Sequence, residues 1–436
     1  MSSYNLISFL GIFVLMGFAW LFSSHKRVIN WRIIIWGVAF QMLFAFFIFN
    51  IPAGTKFFIF INDIVVQILG SASAGAKFVF GRLAIPPGTV HEGGEASLGF
   101  FFAFQALPTI IFFSSLMAIL YYLGIMPLII RGFAFTFAKL MKLSGAESLS
   151  AASNIFVGIE SALTIKPHLD EMTRSELGTV LTVGMATVSS NILAVYVFSL
   201  IDEFPLIAGH LISASFLSAP AALIMSKIIL PETEQPKTMG KDIEPDYEKE
   251  KNLFAAIING ANAGVRLIVG IVALLIAVLG LVALCDLCLT GIGEKLNCFF
   301  EIQIDWSLEG ILGRIFYPLT LILGIPFSDA EIISQIIGKR VIVTELIAYQ
   351  DLAVAIGKGL IKHPRSIIVT TYALCGFAHV ASMSIFIGGI SALIPKRTNT
   401  LAQLGFKALL ASTLACLMTA CIAGAFFVNG VSLLGR

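Results

Sequence analysis

The chain has 436 residues, of which 58% are hydrophobic and only 12% charged, where a soluble domain carries about 25% charged residues. So little charge cannot cover a globule in water, which excludes a soluble enzyme or binding domain and leaves an all-α integral membrane protein. A net charge of +2 without a basic run gives no footprint for a nucleic acid.

The first twenty residues are apolar, and the first positive charges, Lys26, Arg27 and Arg32, follow them. A signal peptide has the opposite order. The reading is an uncleaved span with its N-terminus outside, because short positive loops stay in the cytoplasm. About 20 apolar residues span a bilayer as a helix. On that basis eight spans are expected: 4–24, 33–52, 98–124, 177–201, 207–230, 264–288, 366–393 and 401–428. Four apolar segments between them, 57–80, 126–142, 147–170 and 309–357, are too short or too interrupted to be ordinary spans. Eight spans put both termini outside and Lys396 and Arg397 inside, while Lys358, Lys362 and Arg365 fall outside, against the positive-inside rule.

One stretch reads as soluble, PETEQPKTMGKDIEPDYEKEK at 231–251. Its acids, lysines and prolines cannot bury enough apolar surface to fold. It separates two halves, each with a broken, polar-marked segment ahead of two long spans: 147–170 then 177–230, and 330–357 then 366–428. Paired interruptions of this kind point to an inverted-repeat transporter with its site at mid-membrane. The expected organisation is scaffold spans over 1–125, an interfacial helix, hairpin and two spans over 126–230, and the charged linker over 231–263. A scaffold span and external loop follow over 264–308, then a second hairpin and two spans over 309–436.

The polar residues inside these apolar segments carry the chemistry. NIFVGIESALTIKPH (154–168) places Glu160 where a carboxylate costs about 2.5–3.5 kcal/mol at a helix centre, so it should face a cavity, a cation or a donor. Gly158 lets the backbone leave helical geometry there. VTELIAYQDL (343–352) repeats the pattern with Thr344 and Glu345, Asp351 lying nearer the solvated end. ATVSSN (186–191) clusters hydroxyls at mid-span, suited to a hard monovalent cation. CGFAHVASMS (375–384) puts His379 and Ser382 three apart on one helix face. That pair lacks the third, orienting group of a hydrolytic site, and HEGGE (91–95) lies in a Gly/Pro-bearing loop, so an intramembrane hydrolase stands only as an out-of-class alternative. Cys285 and Cys288 form a CxxC with Cys298 ten residues on, short of the ligands zinc needs, though a disulfide stays open. Cys375, Cys416 and Cys421 sit in apolar runs as small hydrophobes.

Several of these stretches, taken in order, resemble the concentrative nucleoside transporters: GAKFVFG (75–81), FFAFQALPTIIFFSSLMAILYYLGIM (101–126), GAESLSAASNIFVG (145–158), TELIAYQDL (344–352) and ALCGFAHVASMSIFIGGI (373–390). The resemblance runs from about residue 30 to 428. It implies a homotrimer of cation-coupled symporters in the lipid bilayer, with eight transmembrane helices, two re-entrant helical hairpins and broken helices at the site. It makes 147–170 and 330–357 the hairpins, and 177–201 and 366–393 the broken helices. A sodium ion as coupling ion is implied at Asn154, Val157, Thr187 and Val188, Thr187 standing where a serine is usual; no other cofactor is implied. The short form implies a bacterial inner membrane.

The substrate site departs from the family pattern. Where the family's first tip reads Gly-Gln-Thr-Glu, this chain has Gly158, Ile159, Glu160 and Ser161. Ile159 thus replaces a base-recognising Gln, and Ser161 the glutamate that contacts ribose. Glu345 is kept, preceded by Thr344 instead of Asn. His379 stands where a ribose-binding Asn is usual, Phe377 and Ser382 are retained, and Ile192 matches an apolar residue that packs on the base. Gln offers a base edge both a donor and an acceptor, and Ile offers neither. A nucleoside with altered base preference, or a related polar metabolite, is therefore expected. A proton is the alternative coupling ion, and His379 is a residue type whose charge changes near neutral pH.

Overall fold

The computed structural model describes residues 2–86, 89, 96–246 and 250–428, with the backbone alone at Ile159 and Glu160. The HEGGE motif at 91–95 and the side chains of Ile159 and Glu160 lie outside the described residues. α1 (Ser3–Leu21), α2 (Trp31–Asn50), α3 (Pro52–Phe80), α4 (Phe102–Gln105), α5 (Pro108–Tyr122) and α6 (Ile125–Met141) lead to α7 (Gly145–Asn154) and a 3₁₀ stretch, Ile159–Glu171. α8 (Arg174–Ala186), α9 (Ser190–Leu200) and α10 (Ile207–Ile229) complete the first half. α11 (Leu253–Phe300) precedes α12 (Leu308–Ile322), α13 (Phe327–Ile342), α14 (Glu345–Gly357), α15 (Pro364–Leu374), α16 (Val380–Leu393) and α17 (Thr398–Phe426).

Local chemistry sets these boundaries. Pro52, Pro108 and Pro364 open α3, α5 and α15, where proline's missing N–H would be unsatisfied anyway. Thr173 and Glu176 form a capping box at α8, and Asn252, Ser307 and Thr344 cap α11, α12 and α14 with side-chain oxygens. Each such cap satisfies a backbone donor that the helix leaves orphaned.

Eight helices are long and apolar enough to cross a membrane by length and composition, but the set differs from the eight expected. Segment 57–80 is not interrupted; it is all of α3 beyond its first turn. Gly70 and Gly75 face open space there, and each costs about 1 kcal/mol relative to Ala, too little to break a helix of this length. Segment 366–393, one apolar run by hydropathy and a broken helix by the resemblance, is two pieces separated at 375–379. Span 264–288 is the middle of α11, 48 residues long, roughly 72 Å at 1.5 Å per residue.

Two runs of elements repeat in the same order: a helix (α6; α12), a hairpin (α7 with its 3₁₀ arm; α13–α14), a broken helix (α8/α9; α15/α16) and a long helix (α10; α17). The broken helix of the first run is 78% buried and α10 and α17 are each 89% buried, whereas the apolar window of α11 is 0% buried. The repeats therefore form the core, and α11 is an outer wall. It meets α5 through Gly260 and Gly264, where a Cβ would come within 2.8 Å of the Ser114 carbonyl and 2.7 Å of Ile111 Cα. Small residues four apart allow that close backbone approach.

Among its described residues the acidic stretch forms no helix, but it is not detached. Its main chain lies along the first hairpin: Gly145 N donates to Thr238 O at 3.0 Å and Asp246 N to Thr164 O at 2.9 Å. This strap is held by main-chain bonds and ion pairs, with little apolar burial needed. The cysteines are free thiols, and the CxxC lies within α11.

Candidate functional site

Both long helices of the repeats break where the sequence turns small and polar. Between α8 and α9, Thr187 (φ −106°, ψ 166°) and Ser189 (φ −69°, ψ 144°) are extended. Between α15 and α16, Gly376 has φ +147°. A Cβ there would lie 2.7 Å from the Ala186 carbonyl, so glycine is required both by conformation and by the contact between the two breaks. The tip of the first hairpin reaches the same place, since Ser190 N donates to Phe156 O at 2.9 Å.

These breaks and tips surround a cavity of about 280 Å³. Gly158, Thr187, Val188, Ile192, Glu345, Phe377 and His379 line it, closed on the far side by α11 residues that include Leu267, Gly270 and Arg266. Asn154 is fully buried behind the wall. Val157 ends a tight turn, its N–H donating to Ser153 O at 2.9 Å. Ser161 is buried and Ser382 is turned away, so neither lines the cavity. The Ser382 hydroxyl donates to the carbonyl of Phe377 and lies 2.7 Å from that of His379, and it accepts from His379 N at 3.1 Å. Its work is to hold the break.

The polar centre is Glu345 and His379, both buried. His379 caps α16: its Nδ1 accepts from Ser382 N at 3.2 Å. An accepting Nδ1 carries no proton, so the ring's hydrogen sits on Nε2. Nε2 is 3.0 Å from Glu345 Oε2, and neither atom has any other hydrogen-bond partner. The other oxygen, Oε1, accepts from the Tyr196 hydroxyl. Tyr196 packs on Tyr349 with ring centroids 4.9 Å apart, and Phe377 meets His379 edge-on at 4.7 Å. Tyr196 was not expected at the site, although a tyrosine in an apolar helix asks for a hydroxyl partner.

An unspent atom lies near the first hairpin tip. Asn154 Nδ2 donates to Ser150 O at 2.9 Å, but its Oδ1 is buried with no donor. Thr187 Oγ1 donates to Val183 O at 2.9 Å and keeps its lone pairs. A buried acceptor without a donor fits a cation.

Paired hairpins and broken helices converging on one largely apolar cavity with a few convergent polar groups define a secondary transporter. Family models carry this further. The C-terminal model of the Na+ dependent nucleoside transporters matches residues 210–424, the N-terminal model residues 10–83, and a nucleoside recognition (gate) model residues 103–203. The nucleoside permease NupC of Helicobacter pylori is 38% identical over 425 residues, covering 97% of this chain and 98% of its own. An uncharacterized transporter of Haemophilus influenzae is 37% identical over 433 residues, covering 98% and 99%. Solute carrier family 28 member 3 of Mus musculus is 36% identical over 434 residues, and the match spans only 58% of that longer relative. CNTnw in an inward-facing substrate-bound state superposes with a TM-score of 0.87 at 34% identity, covering 98% of this chain and 99% of that one. The chain belongs to the concentrative nucleoside transporter family, a family of membrane transporters and not of enzymes, which removes the hydrolase reading.

Proposed function

We propose that the chain is a sodium-coupled symporter that imports a nucleoside or nucleoside-like solute by alternating access. The observation that carries this reading is the buried pair Glu345 Oε2 and His379 Nε2, which have no partner but each other, beside a cavity of solute size. A sugar hydroxyl both donates and accepts, so one hydroxyl can give its hydrogen to the carboxylate and take the imidazole's. Ile192 and Phe377 supply apolar walls for a base. Gly158, Ile159, Glu160 and Ser161 form the tip over it, and Ser382 acts by holding His379 in place.

Sodium is assigned to Asn154 Oδ1, the Thr187 hydroxyl and the carbonyls of Val157 and Val188, supported by the donor-free Asn154 oxygen. An ion there would tie the first tip to the first break and so favour the arrangement that binds solute. Coupling then follows from differential affinity for that arrangement. A homotrimer in a bacterial inner membrane belongs to the same reading and rests on the family.

The test is uptake of radiolabelled uridine and adenosine into proteoliposomes with and without an inward sodium gradient. Sodium-driven accumulation of either is expected. Uptake driven equally by a proton gradient without sodium would overturn the sodium assignment. No uptake of either, by protein that sodium still stabilises, would overturn the nucleoside and point to Ile159 and Ser161 as marks of another solute.

A further inference from the structure

Arg340 is a fully buried arginine in α13, two residues before that helix ends. Its Nη1 donates to Ala373 O at 2.6 Å and the Cys416 thiol lies within interaction distance of the guanidinium, while no oxygen accepts from the buried Nε or Nη2. No carboxylate among the described residues lies within ion-pair distance. A buried charge in such a state costs several kcal/mol unless something else compensates it. What surrounds it is the crossing of two helix ends. α15 stops at Leu374, directly after the carbonyl that Arg340 holds, and α8 stops at Ala186. The Cys416 thiol reaches the Ala186 carbonyl at 3.8 Å, and Gly376 packs against the same oxygen. Helix C-termini carry partial negative charge and unsatisfied carbonyls, so this junction asks for a cation.

The two repeats ask for it in the same position and answer differently. In the first, Asn154 ends the leading arm of the hairpin and presents a donor-free oxygen beside the break after α8. In the second, Arg340 stands near the end of the leading arm of the other hairpin and delivers its own charge to the end of α15. We propose that Arg340 is a tethered cation that takes the place of a coupling ion in the second repeat, limiting transport to one exchangeable cation per solute. The proposal rests on the sodium-coupled reading of the first repeat.

Two variants of the full chain separate this from a purely structural role. R340K keeps the charge. R340Q removes it and leaves a carbonyl oxygen with room beside it, the chemistry that Asn154 offers. The readouts are the thermal midpoint against sodium concentration without solute, and the charge moved per uridine in proteoliposomes. The wild type and R340K are expected to follow a one-ion sodium dependence. R340Q is expected to be destabilised at low sodium and recover at high sodium with a steeper dependence, its Hill coefficient rising from about one towards about two. A midpoint offset in R340Q that is the same at every sodium concentration would overturn the proposal. If R340Q does not fold, the wild-type charge per uridine decides: one supports the tethered cation, and two or more overturns it. Absence of any sodium effect on the wild type would remove the sodium reading itself. The charge per solute under a proton gradient then decides the role of Arg340 by the same ratio.

Discussion

The bases of the two hairpins hold equivalent places in the repeat and are fastened by different chemistry. At the first, Lys227 Nζ lies 2.6 Å from Glu147 Oε1 and 2.8 Å from Ser175 Oγ, while Glu176 accepts from Ser144 Oγ and Thr173 N at 2.5 and 2.8 Å. At the second, Asp329 accepts from Ser366 Oγ at 2.7 Å, Ser328 Oγ at 2.9 Å and the backbone of Lys362 and His363 at 3.2 and 3.0 Å. One base is an ion pair sealed from water, and the other is a carboxylate held largely by neutral donors next to a solvated loop. The difference teaches that a shared fold fixes where a buried charge must be satisfied, but not how.

The largest effects should come from breaking that contrast. Glu147→Ala leaves the buried Lys227 with only the longer 3.7 Å pair to Glu232, so we expect a loss approaching about 3–5 kcal/mol, read as a drop in the denaturation midpoint in detergent. Glu147→Gln combined with Lys227→Met should recover most of it. Asp329→Ala leaves only neutral donors, partly reachable by water, so about 1–3 kcal/mol is expected. Equal losses at the two bases would remove the distinction.

The breaks sharpen it further. The first uses extended Thr187 and Ser189, and the second uses Gly376 at φ +147°. Gly376→Ala should cost about 1–3 kcal/mol in backbone strain, plus the contact with Ala186, and should lower uptake along with stability. Ser189→Ala, at ordinary angles, should change stability far less. At the site itself, His379→Ala removes both the cap of α16 and the donor near Glu345. Hydrogen bonds to charged groups contribute about 1.5–3 kcal/mol, so the apparent KM for solute should rise at least about tenfold. His379→Asn can cap and donate with one amide and should stay close to the wild type. If His379→Ala leaves KM unchanged, solute does not use that nitrogen.

Polarity in the wrong solvent is what made the site legible. Asn154, Glu345 and His379 stand out because each costs free energy in a membrane segment unless it has work to do, and the structure brings them to the tips and breaks around one cavity. Arg340 did not stand out, because it follows Lys339 and the sequence alone does not say which of two adjacent basic residues is buried. Helical phase separates the two: Lys339 turns outward to Asp351 at 2.8 Å, and Arg340 turns in. Nor does hydropathy separate a broken helix from a whole one, so only the resemblance, and not the apolar run itself, marked the break in 366–393 that Gly376 makes. The length of α11 was invisible for the opposite reason, since its polar ends continue the same helix.

The smallest effect belongs to the strap, and it tests whether charge or backbone fastens it. Glu171 is paired with Lys237 at 2.8 Å, both well exposed. The Lys237 hydrogen bond and charge hold the Glu171 carboxyl below its ordinary value of 4.5. A carboxyl depressed on folding contributes above the unfolded value, and that contribution is lost as pH falls through the lower folded value. The pair therefore helps at neutral pH and fades below about pH 4.5, and salt at about 1 M should screen it at any pH. The bonds from Gly145 N and Asp246 N are backbone bonds that neither acid nor salt titrates. Lys237→Gln should accordingly lower the thermal midpoint only marginally and raise only slightly the rate of tryptic cleavage at Lys241. Full release of the strap to protease in Lys237→Gln at neutral pH would mean that the ion pair, and not the main chain, fastens it to the first hairpin.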